Sequence, residues 1–155
     1  MTFTARCLIL ACGNTLREDD GVGPFLAQWA EERWRDDQRV RVLCDHQWTP
    51  DMAQEIAAAE AVIFVDCALD QEPGQILLRE LSSASLKPGL VTHHLGAAEL
   101  LSVAQELYGT QPRRSCLLTI GAGSIELGEG LSPAVRDALP GAEELLELTV
   151  GQLLG

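Results

Sequence analysis

"AVIFVDC", Ala61 to Cys67, is an apolar run that closes on a carboxylate. A strand with apolar side chains on both faces must be covered on both faces, which is the situation of a parallel strand between helical layers. Two further runs have the same character: "RCLILAC" (Arg6 to Cys12), bounded by Gly13, and "SCLLTIGAG" (Ser115 to Gly123). "RVRVLCD" (Arg39 to Asp45) reads as another strand, and "GQILLREL" (Gly74 to Leu81), with more polar flanks, as a sheet edge or a hairpin.

Helical stretches alternate with these runs. "GVGPFLAQWAEERWR" (Gly21 to Arg35) places Val22, Phe25, Leu26 and Trp29 on one face, with Pro24 in the first turn. "TPDMAQEIAAA" (Thr49 to Ala59) has Thr49 as a cap and Pro50 at its start. "HHLGAAELLSVAQELYG" (His93 to Gly109) is amphipathic and stops at Gly109. The C-terminal stretch has Ser132 as N-cap and Pro133 at the first helical position, with a break or kink expected at Pro140-Gly141. This alternation predicts a three-layer α/β/α fold around a mostly parallel sheet of about five strands. Residues 1–155 read as one domain, without an internal repeat or linker.

Composition narrows the function. The formal net charge of -12 argues against nucleic acid and against anionic membrane surfaces as partners, since these need basic patches. No apolar stretch approaches the roughly 20 residues of a bilayer span. The short N-terminal apolar run ends in a glycine turn, unlike a signal peptide, so a cytoplasmic location is expected. The five cysteines include no CxxC pair, which fits buried free thiols in a reducing compartment rather than a disulfide framework or zinc ribbon.

Three places carry chemistry. "CGNTLREDDGVG" (Cys12 to Gly23) joins a strand to a helix, but its glycines do not have dinucleotide or P-loop spacing. Its two aspartates, Asp19 and Asp20, fit a helix N-terminus, where one can cap while the other faces a cleft. Asp66 ends the most apolar strand, either at the sheet rim or held by a partner. His93 and His94 open a helix, as caps or as ligands, whereas His46 reads as a surface residue. In open α/β sheets sites collect beyond the carboxyl ends of the strands, which puts Asp20, Asp66 and His93 in one plausible crevice. Two carboxylates and an imidazole suit a divalent transition metal such as nickel, zinc or manganese, with positions left for water or substrate. A rival reading is a cysteine hydrolase using Cys12 or Cys67 with a histidine. A third is a non-catalytic metal- or peptide-binding module that escorts a partner.

"GNTLREDDGVG" (Gly13 to Gly23) resembles the GNxLxxDDGxG signature of the hydrogenase maturation endopeptidases. "VIFVDCALD" (Val62 to Asp70), "THHLGAAELL" (Thr92 to Leu101) and "GEGLSPAV" (Gly128 to Val135) are similar to that family's later segments, in the same order. The resemblance implies a mixed-sheet α/β/α fold and an endopeptidase acting on the large-subunit precursor of a nickel-iron hydrogenase. It implies removal of a C-terminal peptide once nickel is in place, the metal being supplied by the substrate, with zinc or another divalent ion as a surrogate. Carried over by position, the catalytic and metal-binding residues are Asp20, Asp66 and His93. Many members have Glu where this chain has Asp20, one methylene shorter. The His-x-x-Gly spacing to Gly96 favours His93 over His94. Asp19 is implied to help hold the loop.

Overall fold

A computed structural model of the protein describes residues 5–82 and 96–155. Five strands, β1 (Cys7–Cys12), β2 (Val40–Asp45), β3 (Ala61–Ala68), β4 (Ile76–Glu80) and β5 (Arg114–Gly121), form one sheet in the order β2-β1-β3-β5-β4. β1, β2, β3 and β5 pair in parallel, and β4 runs antiparallel on the outside of β5. The stretch from Gly74 to Leu81 is thus a sheet edge and not the second arm of a hairpin with β3.

Among the described residues four α-helices cover the sheet: α1 (Val22–Arg33), α2 (Ala53–Ala57), α3 (Ala97–Tyr108) and α4 (Pro133–Leu154). Successive strand side chains point to opposite faces, and the core divides accordingly. Cys7, Ile9 and Ala11 of β1 with Ile63 and Val65 of β3 pack against Leu26 and Ala30 of α1 and against Leu139, Leu146 and Val150 of α4. Leu8, Leu10, Val62 and Phe64 pack on the other face against Ile56 of α2 and against Leu100 and Leu101 of α3. The three-layer arrangement follows from β1 and β3 being apolar at every central position.

Some local expectations change. On α1 the buried stripe runs through Val22, Gly23, Leu26, Ala27 and Ala30, and Phe25 is left exposed. Small residues let the helix lie close to the sheet: a Cβ on Gly23 would come within 2.1 Å of the Cys12 carbonyl oxygen. Pro50 opens a short 3-10 turn, Pro50–Met52, so the regular α2 begins only at Ala53. Gly109 ends α3 in the left-handed conformation, φ 71°, as its position predicts. α4 runs unbroken through Pro140. Val135 and Leu139 before the proline and Ala142, Leu146 and Val150 after it are buried in one cluster, which holds the helix together across the missing amide. No helix among the described residues is long and apolar enough to cross a membrane.

Candidate functional site

The strand order reverses direction at β1: the chain moves from β1 outward to β2, then returns to the other side of β1 as β3. Such a switch point opens a crevice beyond the carboxyl ends of the two strands. Cys12 at the end of β1, with Asp66 and Cys67 near the end of β3, lines a cleft of about 450 Å³ there, together with Asn14, Arg17, Asp20 and Gly96.

The loop after β1 is shaped from both ends. Gly13 has φ 151°, and a Cβ on it would sit 1.9 Å from the Asp20 carbonyl oxygen, so only glycine lets the loop fold back on itself. The Asn14 amide donates to Asp20 Oδ2 at 2.8 Å, which fixes that carboxylate over the end of β1. Asp19 turns the opposite way. It is fully buried and accepts hydrogen bonds from the amides of Gly123, Ser124 and Ser132 and from the Ser132 hydroxyl, at 2.7 to 3.0 Å. It therefore clips the loop to the β5–α4 connection and the start of α4 instead of capping α1. Ser132 is the residue preceding α4, as its sequence position predicts, but its hydroxyl is given to Asp19 and makes no cap bond within its own helix. Backbone bonds from Glu18 to Gly128 and from Gly128 to Leu16, both 2.9 Å, complete the clamp.

Asp20, from the 3-10 turn before α1, and Asp66, near the end of β3, meet in the cleft. A carboxylate oxygen of each and the Cys67 sulfur lie within 4.8 Å of one another, a spacing one metal ion can bridge. The Cys67 thiol donates to Asp20 Oδ1 at 3.2 Å, and the Cys67 amide donates to Asp66 Oδ1 at 2.8 Å. Burial pushes the Asp66 carboxyl up to about 6; the Cys12 thiol and the Cys67 amide oppose the rise, and the Asp20 charge adds to it. Burial also pushes the Cys12 and Cys67 thiols well above the ordinary range, with the Asp66 charge next in effect at each. Neutral thiols are poor nucleophiles, which works against the cysteine-hydrolase reading.

His93 and His94 lie outside the described residues. Gly96, which follows them and precedes α3, lines the cleft. His46, read as a surface residue, also lines it: the sequence signal was its place just past β2, on the same rim as Asp20 and Asp66. Trp48 lines the cleft as well, and its buried indole N–H has no partner among the described residues.

No family model matches the chain. It is 27% identical over 146 residues to the Hydrogenase 2 maturation protease of Escherichia coli (strain K12), covering 91% of this chain and 88% of that protein. The structure of the hydrogenase maturating endopeptidase HybD from E. coli superposes with a TM-score of 0.81 at 23% identity, over 95% of this chain and 93% of that one. The [NiFe] hydrogenase maturation protease HycI from Thermococcus kodakarensis KOD1 gives a TM-score of 0.73 at 25% identity, over 97% of this chain and 94% of that one. Over nine-tenths of its sequence, and in its strand and helix arrangement, the chain is similar to hydrogenase maturation proteases.

Proposed function

We propose that this protein is the endopeptidase that removes a C-terminal peptide from the nickel-loaded large-subunit precursor of a nickel-iron hydrogenase. The observation that carries the reading is the meeting of Asp20 and Asp66 at the β1/β3 switch point, in a chain that aligns with a hydrogenase maturation protease over 91% of its length. The nickel belongs to the substrate. Asp20, Asp66 and His93 are the residues proposed to meet it, so cleavage waits until the metal is installed. Two carboxylates suit a divalent cation by charge and by donor type. Asp20 is held by the Asn14 amide and Asp66 by the Cys67 amide, so both approach the ion already oriented. An ion so held can position the peptide bond or polarise its carbonyl.

The test mixes the protein with nickel-loaded precursor and follows the precursor's mass. The expected result is loss of a C-terminal peptide, absent when nickel is omitted and absent with Asp20→Asn, Asp66→Asn or His93→Ala. Full processing by all three variants would reject the site; an unshortened but bound precursor would identify an escort module. Cleavage that survives nickel omission and stops on thiol alkylation would support a cysteine hydrolase instead.

A further inference from the structure

We propose that Cys67 is itself a metal ligand, its sulfur joining the Asp20 and Asp66 carboxylates on one divalent ion and setting which ions the site accepts. This rests on the reading of Asp20 and Asp66 as the metal-facing residues, and adds to it a donor that neither the sequence pattern nor the resemblance assigns.

The argument begins with placement. Asp66 and Cys67 are neighbours on β3, and neighbours on a strand ordinarily face opposite ways. Near the rim of the sheet both line the same cleft. The Cys67 sulfur is 3.2 Å from Asp20 Oδ1, and one donor atom from each of Asp20, Asp66 and Cys67 falls within 4.8 Å of the others. A four-coordinate ion with metal–sulfur bonds of about 2.3 Å and metal–oxygen bonds of about 2.0–2.2 Å has neighbouring donors about 3.5 Å apart, so small side-chain rotations bring all three onto one ion.

The chemistry agrees. A thiol between two carboxylates is poorly placed to ionise alone. With a cation among the three, the S–H proton leaves to solvent and a metal–sulfur bond takes its place, while the carboxylates that repel a bare thiolate help hold the ion. A sulfur donor favours nickel, cobalt and zinc over magnesium, calcium and manganese, which prefer oxygen. Cys44, an exposed thiol that does not line the cleft, serves as a control.

The test titrates cobalt(II), and separately nickel(II), into the full-length, metal-free, reduced protein. Two signals are read: the thiolate-to-metal charge-transfer absorption, and affinity by calorimetry. Wild type should bind one ion with the absorption band, and magnesium should not compete. Cys67→Ser and Cys67→Ala should abolish the band and weaken binding at least about tenfold, while Cys44→Ser keeps both; circular dichroism confirms that each variant is folded. A band unchanged in folded Cys67→Ser, or wild type that binds neither ion, overturns the proposal. Precursor processing separates the two readings. If Asp66→Asn stops processing while Cys67→Ser keeps the band, only the cysteine ligand is lost. If Asp20→Asn, Asp66→Asn and His93→Ala all process normally, the site itself is wrong.

Discussion

Asp19 takes four hydrogen bonds at full burial, and its partners lie 104 to 113 residues further along the chain. Burial alone would raise its carboxyl, but the Ser132 amide and hydroxyl and the Ser124 and Gly123 amides outweigh it and hold the group below the usual carboxylate range. The unfolded chain therefore binds this proton more tightly than the folded one. The stabilisation is complete above about pH 4 and is lost as pH falls through the lower folded value. Asp19→Asn puts an amide donor among four donors and should cost about 2–4 kcal/mol at pH 7, seen as a lower urea midpoint with an unchanged slope. The gap between wild type and variant should narrow in acid; a constant gap down to the acid limit would deny the carboxylate this role. In the sequence Asp19 and Asp20 are indistinguishable neighbours. The strand–helix boundary marks both as site candidates, but only the distant β5–α4 connection decides which is structural. Asp66 was easier to single out, since a carboxylate closing a fully apolar strand has few places to be.

Helix α4 is where local propensity and packing disagree. Proline in a helix interior removes one amide and crowds the preceding turn, so Pro140-Gly141 reads as a break. Pro140 is exposed, whereas apolar residues on both sides of it are buried in the same core. That burial offsets the missing bond, and Gly141 lets the helix lie against β4, a Cβ there reaching within 3.2 Å of Ile76 Cδ1. Pro140→Ala restores a donor for the Arg136 carbonyl without adding a side chain to the core. It should stabilise the protein by about 1–3 kcal/mol, read as a higher thermal midpoint. A lower midpoint would mean that the helix is bent there by design and that the core depends on the bend. The other elements were legible because single signals fixed them: unbroken apolar runs for β1, β3 and β5, and Gly109 for the end of α3. The face of α1 was less so, since Ala and Gly at the helix–sheet contact carry little hydrophobic signal while the larger Phe25 is exposed.

At the scale of the whole molecule, strand order creates the site. The alternation of strands and helices gave the layers, but nothing local states that β1 lies between β2 and β3, or that β4 is an antiparallel edge. That order draws the ends of β1 and β3 together and brings in Asp20, Asp66 and Cys67, with His46 on the rim beyond β2. The same arrangement costs stability. Asp66 is partly buried, and that burial, with the neighbouring Asp20 charge as a smaller addition, raises its proton affinity. Asparagine keeps the shape of the side chain and an oxygen for the Cys67 amide while removing the charge. In metal-free protein at pH 8, Asp66→Asn should therefore be more stable than wild type by about 1–3 kcal/mol, while processing of the nickel-loaded precursor falls to background. A residue that served only the fold would show the reverse, lower stability with processing retained. A variant less stable than wild type would place Asp66 among the residues that hold the sheet rim together, and a loss of processing would then have to be separated from unfolding before it counted for the site. Gain of stability with loss of activity is the result expected of a carboxylate kept in an unfavourable place for the sake of an incoming cation.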